Sequence, residues 1–274
     1  HEKGAFSPKL NALEQEFSLL KGQLDAWVYS GGVNQQRYIR AGQVQINAQT
    51  RNDRTTARDR IISCWRRETP QKLAYDRTPI GLELDLGGLI LPTLPDLSVD
   101  FSHVGSLKLS NMNLTASPEG FLTRFRHVRW LDMSNNRLTD LPPAVGEMHG
   151  MTRLFLQKNQ LQLTAETAQI LSGRTTLRAL FLQDNPQLGE LPDFSLISDM
   201  RAVNLANTGI NTWPTGLFDQ PLLTDIDLSN NQITTIPDFV TAPTADRLAH
   251  SVQVNSGTRV FNNPLSDATR VRLE

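Results

Sequence analysis

The chain has 274 residues, a formal net charge of −1 and a single cysteine, Cys64. The near-neutral charge argues against general nucleic-acid binding, and a lone cysteine excludes an intramolecular disulfide. No apolar run approaches the roughly 18–20 residues of a membrane-spanning helix, and His1-Glu2-Lys3-Gly4 does not resemble a signal peptide.

Ser7-Pro8 reads as an N-cap followed by proline at the first helical position. Leu10, Leu13, Phe17, Leu20, Leu24 and Trp27 follow at steps of three and four. That stripe predicts one amphipathic helix packed on a neighbour; a dimeric coiled coil usually needs about three or four heptads. Gly31-Gly32 should stop it. Residues 33–52 are polar and show no pattern. Residues 53–68 predict a second helix, with Ala57, Ile61 and Trp65 at spacing four, closed by Glu68-Thr69-Pro70. The pair is expected to cap the region that follows, making residues 1–77 an N-terminal helical capping region. Residues 37–72 hold nine Arg/Lys against three Asp/Glu. A solvated outer face explains this, with an acidic partner or an anionic membrane surface as the functional alternative.

Residues 78–274 are organised as repeats. The stretch V-R-W-L-D-M-S-N-N-R-L from Val128 to Leu138 has apolar residues at Val128, Leu131, Met133 and Leu138 and an asparagine at Asn136. Leu131 and Met133 alternate as in a short strand with one buried face. Asn136 is placed to satisfy backbone groups released where the strand ends. The position of Leu131 recurs at Leu84, Leu107, Leu154, Leu180, Val203, Ile226 and Thr258, and the asparagine at Asn159, Asn185, Asn231 and Asn263. It is broken at Leu89, Met112 and Thr208. The frame resembles the leucine-rich repeat, L-x-x-L-x-L-x-x-N-x-L, in which no unit can bury its own apolar face without neighbours. The fold class expected is therefore an α/β solenoid: a horseshoe with a parallel concave sheet of about seven or eight strands and a helical N-terminal cap. Ser117-Pro118-Glu119 predicts a capped helical turn, Thr164–Leu171 a short helix, and 242–250 a helix or loop.

No catalytic constellation stands out. Cys64 beside Trp65 on an amphipathic helix reads as a buried structural thiol. His103, His127, His149 and His250 lack ligand spacing, and there is no G-x-S-x-G, P-loop or G-x-G-x-x-G. No metal or cofactor is expected. The informative surface is the concave one, where residues flanking the inward positions face the hollow. They include Trp130, Asp132, Arg153, Phe155, Gln157, Phe181, Gln183, Asn204 and Asp227, with Arg129, Arg178 and Arg201 nearby. Exposed aromatics beside arginine have the composition of a protein-binding hot spot.

The stretch A-N-T-G-I-N-T-W-P-T-G-L-F at residues 206–218, L-D-M-S-N-N-R-L-T-D-L-P, the closing V-F-N-N-P-L-S and I-I-S-C-W-R-R before the repeats carry a further resemblance. The chain is similar to the leucine-rich-repeat region of bacterial secreted effectors with a novel E3 ligase (NEL) domain, the IpaH-like proteins and their larger relatives. The resemblance implies a repeat domain that recognises a host protein in the host cytoplasm and can restrain a downstream ligase domain with a cysteine nucleophile. Cys64 precedes the repeats and does not match that nucleophile. The chain stops at Glu274, where such a domain would begin, so the resemblance implies a non-catalytic fragment or a relative without the ligase. The partners expected are a host target protein on the concave face and, alternatively, the downstream catalytic domain of the same protein, with no nucleic acid and no transmembrane segment.

Overall fold

The computed structural model describes residues 3–30 and 48–273. The Gly31-Gly32 stop, the polar stretch up to residue 47 and the basic positions before residue 48 lie outside these. Two helices come first, α1 (Lys3–Tyr29) and α2 (Ala48–Trp65). Two strands follow, β1 (Gln71–Leu73) and β2 (Pro79–Asp85). The coils then run through β3 (Val104–Lys108), α3 (Glu119–Leu122), β4 (Trp130–Asp132), β5 (Arg153–Phe155), α4 (Ala165–Ser172), β6 (Ala179–Phe181), β7 (Ala202–Asn204) and β8 (Asp225–Asp227). The end is α5 (Asp238–Thr241), α6 (Leu248–Ser256), β9 (Thr258–Arg259) and α7 (Asp267–Leu273).

Among the described residues all nine strands form one sheet in sequence order. From β2 to β9 every pair is parallel, and Leu84, Leu107, Leu131, Leu154, Leu180, Val203, Ile226 and Thr258 stand rung upon rung, as the repeat phase predicts. The first seven of these positions and the second inward residues from Leu86 to Leu228 fill one continuous core; Thr258 is only half-buried. Each fully buried leucine adds about 1.5–3 kcal/mol of transfer free energy. The eight strands from β2 to β9 are the parallel sheet that the repeat phase predicts, and one further strand, β1, adds to its edge. The strand β1 pairs antiparallel with β2, Gln71 opposite Leu82. A hairpin returning on the first coil needs no crossover, so it runs against the solenoid's direction.

The asparagines explain how coils are welded. Asn136 Oδ1 accepts from the N–H of Met112 (2.9 Å) and Leu114 (3.1 Å) in the preceding coil. Its Nδ2 donates to the carbonyls of Leu109, Met133 and Ser134. Asn159, Asn185, Asn231 and Asn263 repeat the pattern. Where the position is broken, neighbours compensate: Thr208 donates its hydroxyl to Leu205 O (2.7 Å), and its N–H reaches Asn231 Oδ1. The residue before each asparagine position takes a left-handed backbone: Asn111, Asn135, Lys158, Asp184, Asn207, Asn230 and Asn262.

The helical cap seats on the first coil. Leu20, Leu24, Trp27 and Val28 of α1 and Ala57, Ile61 and Cys64 of α2 are buried and continuous with the repeat core. Arg54, 2% exposed, ties the pair together: it donates to Trp27 O, Ser30 Oγ and Thr93 Oγ1. The predicted stripe is only half used, since Leu10 and Leu13 are exposed. The helix also starts earlier than expected. Pro8 lies inside it, preceded by a further turn from Lys3, so Ser7 is not its cap. Ser117 is likewise not a backbone cap; its hydroxyl bonds the Glu119 carboxylate, and Pro118 occupies the cap position. The helix expected from Thr164 is present, capped reciprocally by Thr164 and Thr167. In the 242–250 insert, α6 begins at Leu248 after a short 3-10 turn, Ala245–Arg247.

Candidate protein-binding surface

The concave face is a grid whose rows are set by strand register. One row runs Trp130, Arg153, Ala179, Ala202 and Asp225. The next runs Asp132, Phe155, Phe181, Asn204, Asp227 and Arg259. Gln157 and Gln183 follow two residues further along their chains. All nine sequence-predicted residues, Trp130, Asp132, Arg153, Phe155, Gln157, Phe181, Gln183, Asn204 and Asp227, are half-buried on this face. Neighbouring strands place Phe155 and Phe181 side by side, rings parallel within 1° and centroids 4.9 Å apart. They form a two-ring apolar surface at the centre of the grid. The side-chain carbonyls of Gln157 and Gln183 are enclosed next to it without a hydrogen-bond partner.

Three of the polar candidates also brace the backbone. Asp132 accepts from the Ser134 N–H, Asn204 from Ala206 and Asp227 from Ser229, at 2.9–3.0 Å. These turns close the strands before each left-handed residue. Not every residue flanking the inward positions is open to the hollow: Ser106, Ser134, Ala179 and Ser229 are buried. Ser106 donates to Glu83 Oε2 (2.8 Å), under a layer made by Lys72 and Lys108, which both lie within 4 Å of Glu83. At the far end Arg259 pairs with Asp225 (3.2 Å) and Asp227 (3.3 Å), offsetting the acidic end of the arc.

One contributor was missed from sequence. Tyr75, in the turn between β1 and β2, leans over the first row. Arg153 lies between two rings, its guanidinium 4.6 Å from the Tyr75 centroid and 4.8 Å from that of Trp130. It also donates to Tyr75 Oη at 3.4 Å. That bond and the positive charge hold the Tyr75 phenol below its ordinary pKa. Lys72 approaches the Trp130 ring at 5.7 Å. Cation–π contacts of this kind orient a long side chain without neutralising it.

The basic N-terminal segment is largely spoken for. Arg54 is buried, Arg58 pairs with Asp25 (3.0 Å), Arg60 donates to Asp85 O (3.1 Å) and Arg66 lies over the Phe17 ring. The Cys64 thiol is fully buried, and burial pushes its pKa up to about 11. A thiol so placed is a poor nucleophile at neutral pH. Among the described residues no cluster of His, Cys, Asp and Glu is suited to a metal ion, and no helix is long and apolar enough to cross a membrane.

The motif at 206–218 proves to be architectural. Thr208 closes a turn, and Gly209 takes φ 74° where a Cβ would stand 2.5 Å from Pro186 O. Ile210, Leu217 and Phe218 are buried, Trp213 packs on Phe218 at 4.6 Å, and Gly216 lies against the Ser195 backbone.

Comparison with known proteins agrees with this architecture. Residues 127–148 and 222–242 match the Leucine Rich Repeat family model. Human vasorin is 33% identical over 42% of this chain, and zebrafish (Danio rerio) keratocan 29% identical over 48%. These matches span 17% of vasorin and 38% of keratocan, so the chain corresponds to a minor part of each. Among solved structures, a leucine-rich-repeat protein of Leptospira interrogans superposes with a TM-score of 0.51 at 20% identity, covering 63% of this chain and 47% of the other. The functional domain of InlJ from Listeria monocytogenes superposes at 0.50 and 16% identity, covering 70% and 42%. That domain includes a cysteine ladder; here the coils are joined by asparagine, and the one cysteine lies in α2. The coils are leucine-rich repeats, and the fold is a leucine-rich-repeat solenoid.

Proposed function

We propose that the concave face, centred on Phe155 and Phe181, is where this module grips its protein partner. The parallel ring pair carries the reading: two half-exposed phenyl groups, flanked by Trp130, Arg153 and Asn204, lie on a rigid sheet rather than on a loop. Aromatic anchors held in one geometry lose little entropy on binding, and hot spots of roughly 2 kcal/mol or more concentrate on such residues. The test is photocrosslinking. A benzophenone amino acid placed at Phe181 should trap a partner that the same probe at Glu166, on the outer helix α4, does not. Equal trapping at both positions would refute the assignment.

The finer reading is that the module is the target-recognition part of a bacterial effector, secreted and acting in host cytoplasm, with a NEL-type ligase domain downstream. Its support is the resemblance at residues 206–218 and in the flanking repeats. Because that motif is explained by packing, the decisive observation is the remaining reading frame of the gene. A cysteine-centred helical domain there supports the reading; an unrelated domain removes it. An alternative is intramolecular docking, in which the same hollow holds a neighbouring domain of a longer chain. Its support is the same resemblance, in which the repeats can restrain a downstream domain. Tight association with a separately made downstream domain would select it.

A further inference from the structure

Where the strands begin, the concave face runs into a cleft of about 380 Å³ beneath the β1–β2 turn. One wall is the turn, with Tyr75 and Asp76; the other carries four arginines from consecutive coils, Arg129, Arg178 and Arg201 just before β4, β6 and β7, and Arg153 at the start of β5. Arg129, Arg178 and Arg201 are exposed. Among the described residues none of the four arginines has a carboxylate within ion-pair distance. The one acid in the lining, Asp76, is engaged with the Thr78 N–H at 2.9 Å. Four guanidinium groups against one carboxylate leave the cleft at +3 in a chain whose net charge is −1. Asp76 offsets part of the charge of Arg178; the remaining like charges repel one another, and an anion relieves that repulsion while gaining charge-assisted hydrogen bonds.

We propose that this cleft receives an acidic segment of the protein partner, its carboxylates on the arginine line and a neighbouring apolar side chain against Tyr75 and Trp130. The inference deepens the protein-recognition reading and rests on it, adding the chemistry of what is recognised. The surroundings favour a short peptide over a polyphosphate. The cluster is local, and the same face carries Asp132 on β4 and Asp184 just beyond β6, which a nucleic-acid backbone continuing across the sheet would meet. Guanidinium planes also suit the two oxygens of a carboxylate.

The test uses the whole chain and fluorescence anisotropy at about 0.15 M salt, where the Debye length is about 8 Å. The probes are a labelled peptide of alternating Glu and Gly with one Leu, the same peptide with Gln for Glu, a phosphoserine version, and a ten-nucleotide oligothymidine. The Glu peptide should bind and the Gln peptide should not. The double variant R178Q/R201Q changes only exposed side chains, so its melting temperature should match the wild type while binding weakens by at least about tenfold. R137Q, at an exposed arginine outside the cleft, should leave peptide affinity unchanged. The phenyl-pair reading is judged separately, by trapping from position 181, so failure here and failure there are distinguishable. Equal binding of Glu and Gln peptides, wild-type affinity in R178Q/R201Q, or tighter binding of oligothymidine would overturn the proposal. Binding confined to the phosphoserine peptide would overturn its carboxylate chemistry.

Discussion

The N–H of Leu138 donates to the side-chain oxygen of Asn159, 3.0 Å away and one coil further on. The Asn159 Nδ2 donates to Leu156 O and Gln157 O within its own coil and to Met133 O in the preceding one. A single side chain thus satisfies one donor and three acceptors where the strand ends. Asn159→Ala would leave these groups buried and unpaired, and a loss of about 2–4 kcal/mol follows. Urea denaturation reads this as a lower midpoint. A loss below about 0.5 kcal/mol would mean that the asparagines are incidental to coil stacking.

The left-handed position before each asparagine position is filled by glycine in the first coil, by Asn or Asp in six and by lysine in one, Lys158 at φ 57°. Lysine lacks the short side chain that eases this conformation. Its side chain is exposed, so replacement touches no packing. Lys158→Asn should stabilise the protein by about 0.5–1 kcal/mol, raising the melting temperature by a degree or more. A decrease would indicate an interaction of the lysine that the backbone argument omits.

At Gly209 both backbone angle and space are constrained. Its φ is 74°, and an added Cβ would come within 2.5 Å of the Pro186 carbonyl oxygen in the preceding coil. Gly209→Ala should cost about 1–3 kcal/mol through strain and displacement. Gly150, around which a Cβ would meet nothing within 4 Å, serves as the control, and Gly150→Ala should be close to neutral. Similar losses at both sites would contradict the close coil contact at residue 209.

Cys64 offers a pH test. Its folded-state thiol titrates at about 11 against an ordinary 9.0, because burial disfavours the thiolate. Between those values the unfolded chain releases a proton that the folded chain retains, so stability is full below pH 9 and falls as pH rises towards 11. Cys64→Ala should flatten that alkaline decline, as followed by urea midpoints between pH 8 and 11. An aromatic disulfide reagent at pH 8 should modify the thiol only after unfolding. Immediate reaction with the native protein would show Cys64 to be accessible.

The repeat phase, the register of the inward leucines and the asparagine turns were legible because each depends on local alternation renewed every 23–26 residues through Ile226. Register then follows mechanically, which is why Phe155 and Phe181 could be placed side by side from sequence. The antiparallel β1 was not legible. Gln71–Leu73 is three residues of mixed polarity, and it becomes a strand through pairing with β2. Tyr75 was missed for a related reason: its contact with Arg153 spans 78 positions, and nothing local marks it. The stripe at Leu10 and Leu13 was over-read because periodicity reports an apolar face without reporting whether a neighbour extends far enough to cover it.

Recognition through the hollow of the solenoid is tested most directly by one dissociation constant, that of the partner trapped from position 181, compared between the wild type and F155A/F181A. Removing both rings should weaken binding by at least about thirtyfold, the equivalent of roughly 2 kcal/mol, with the melting temperature of the free module little changed. An unaltered dissociation constant in a folded double variant would contradict the assignment.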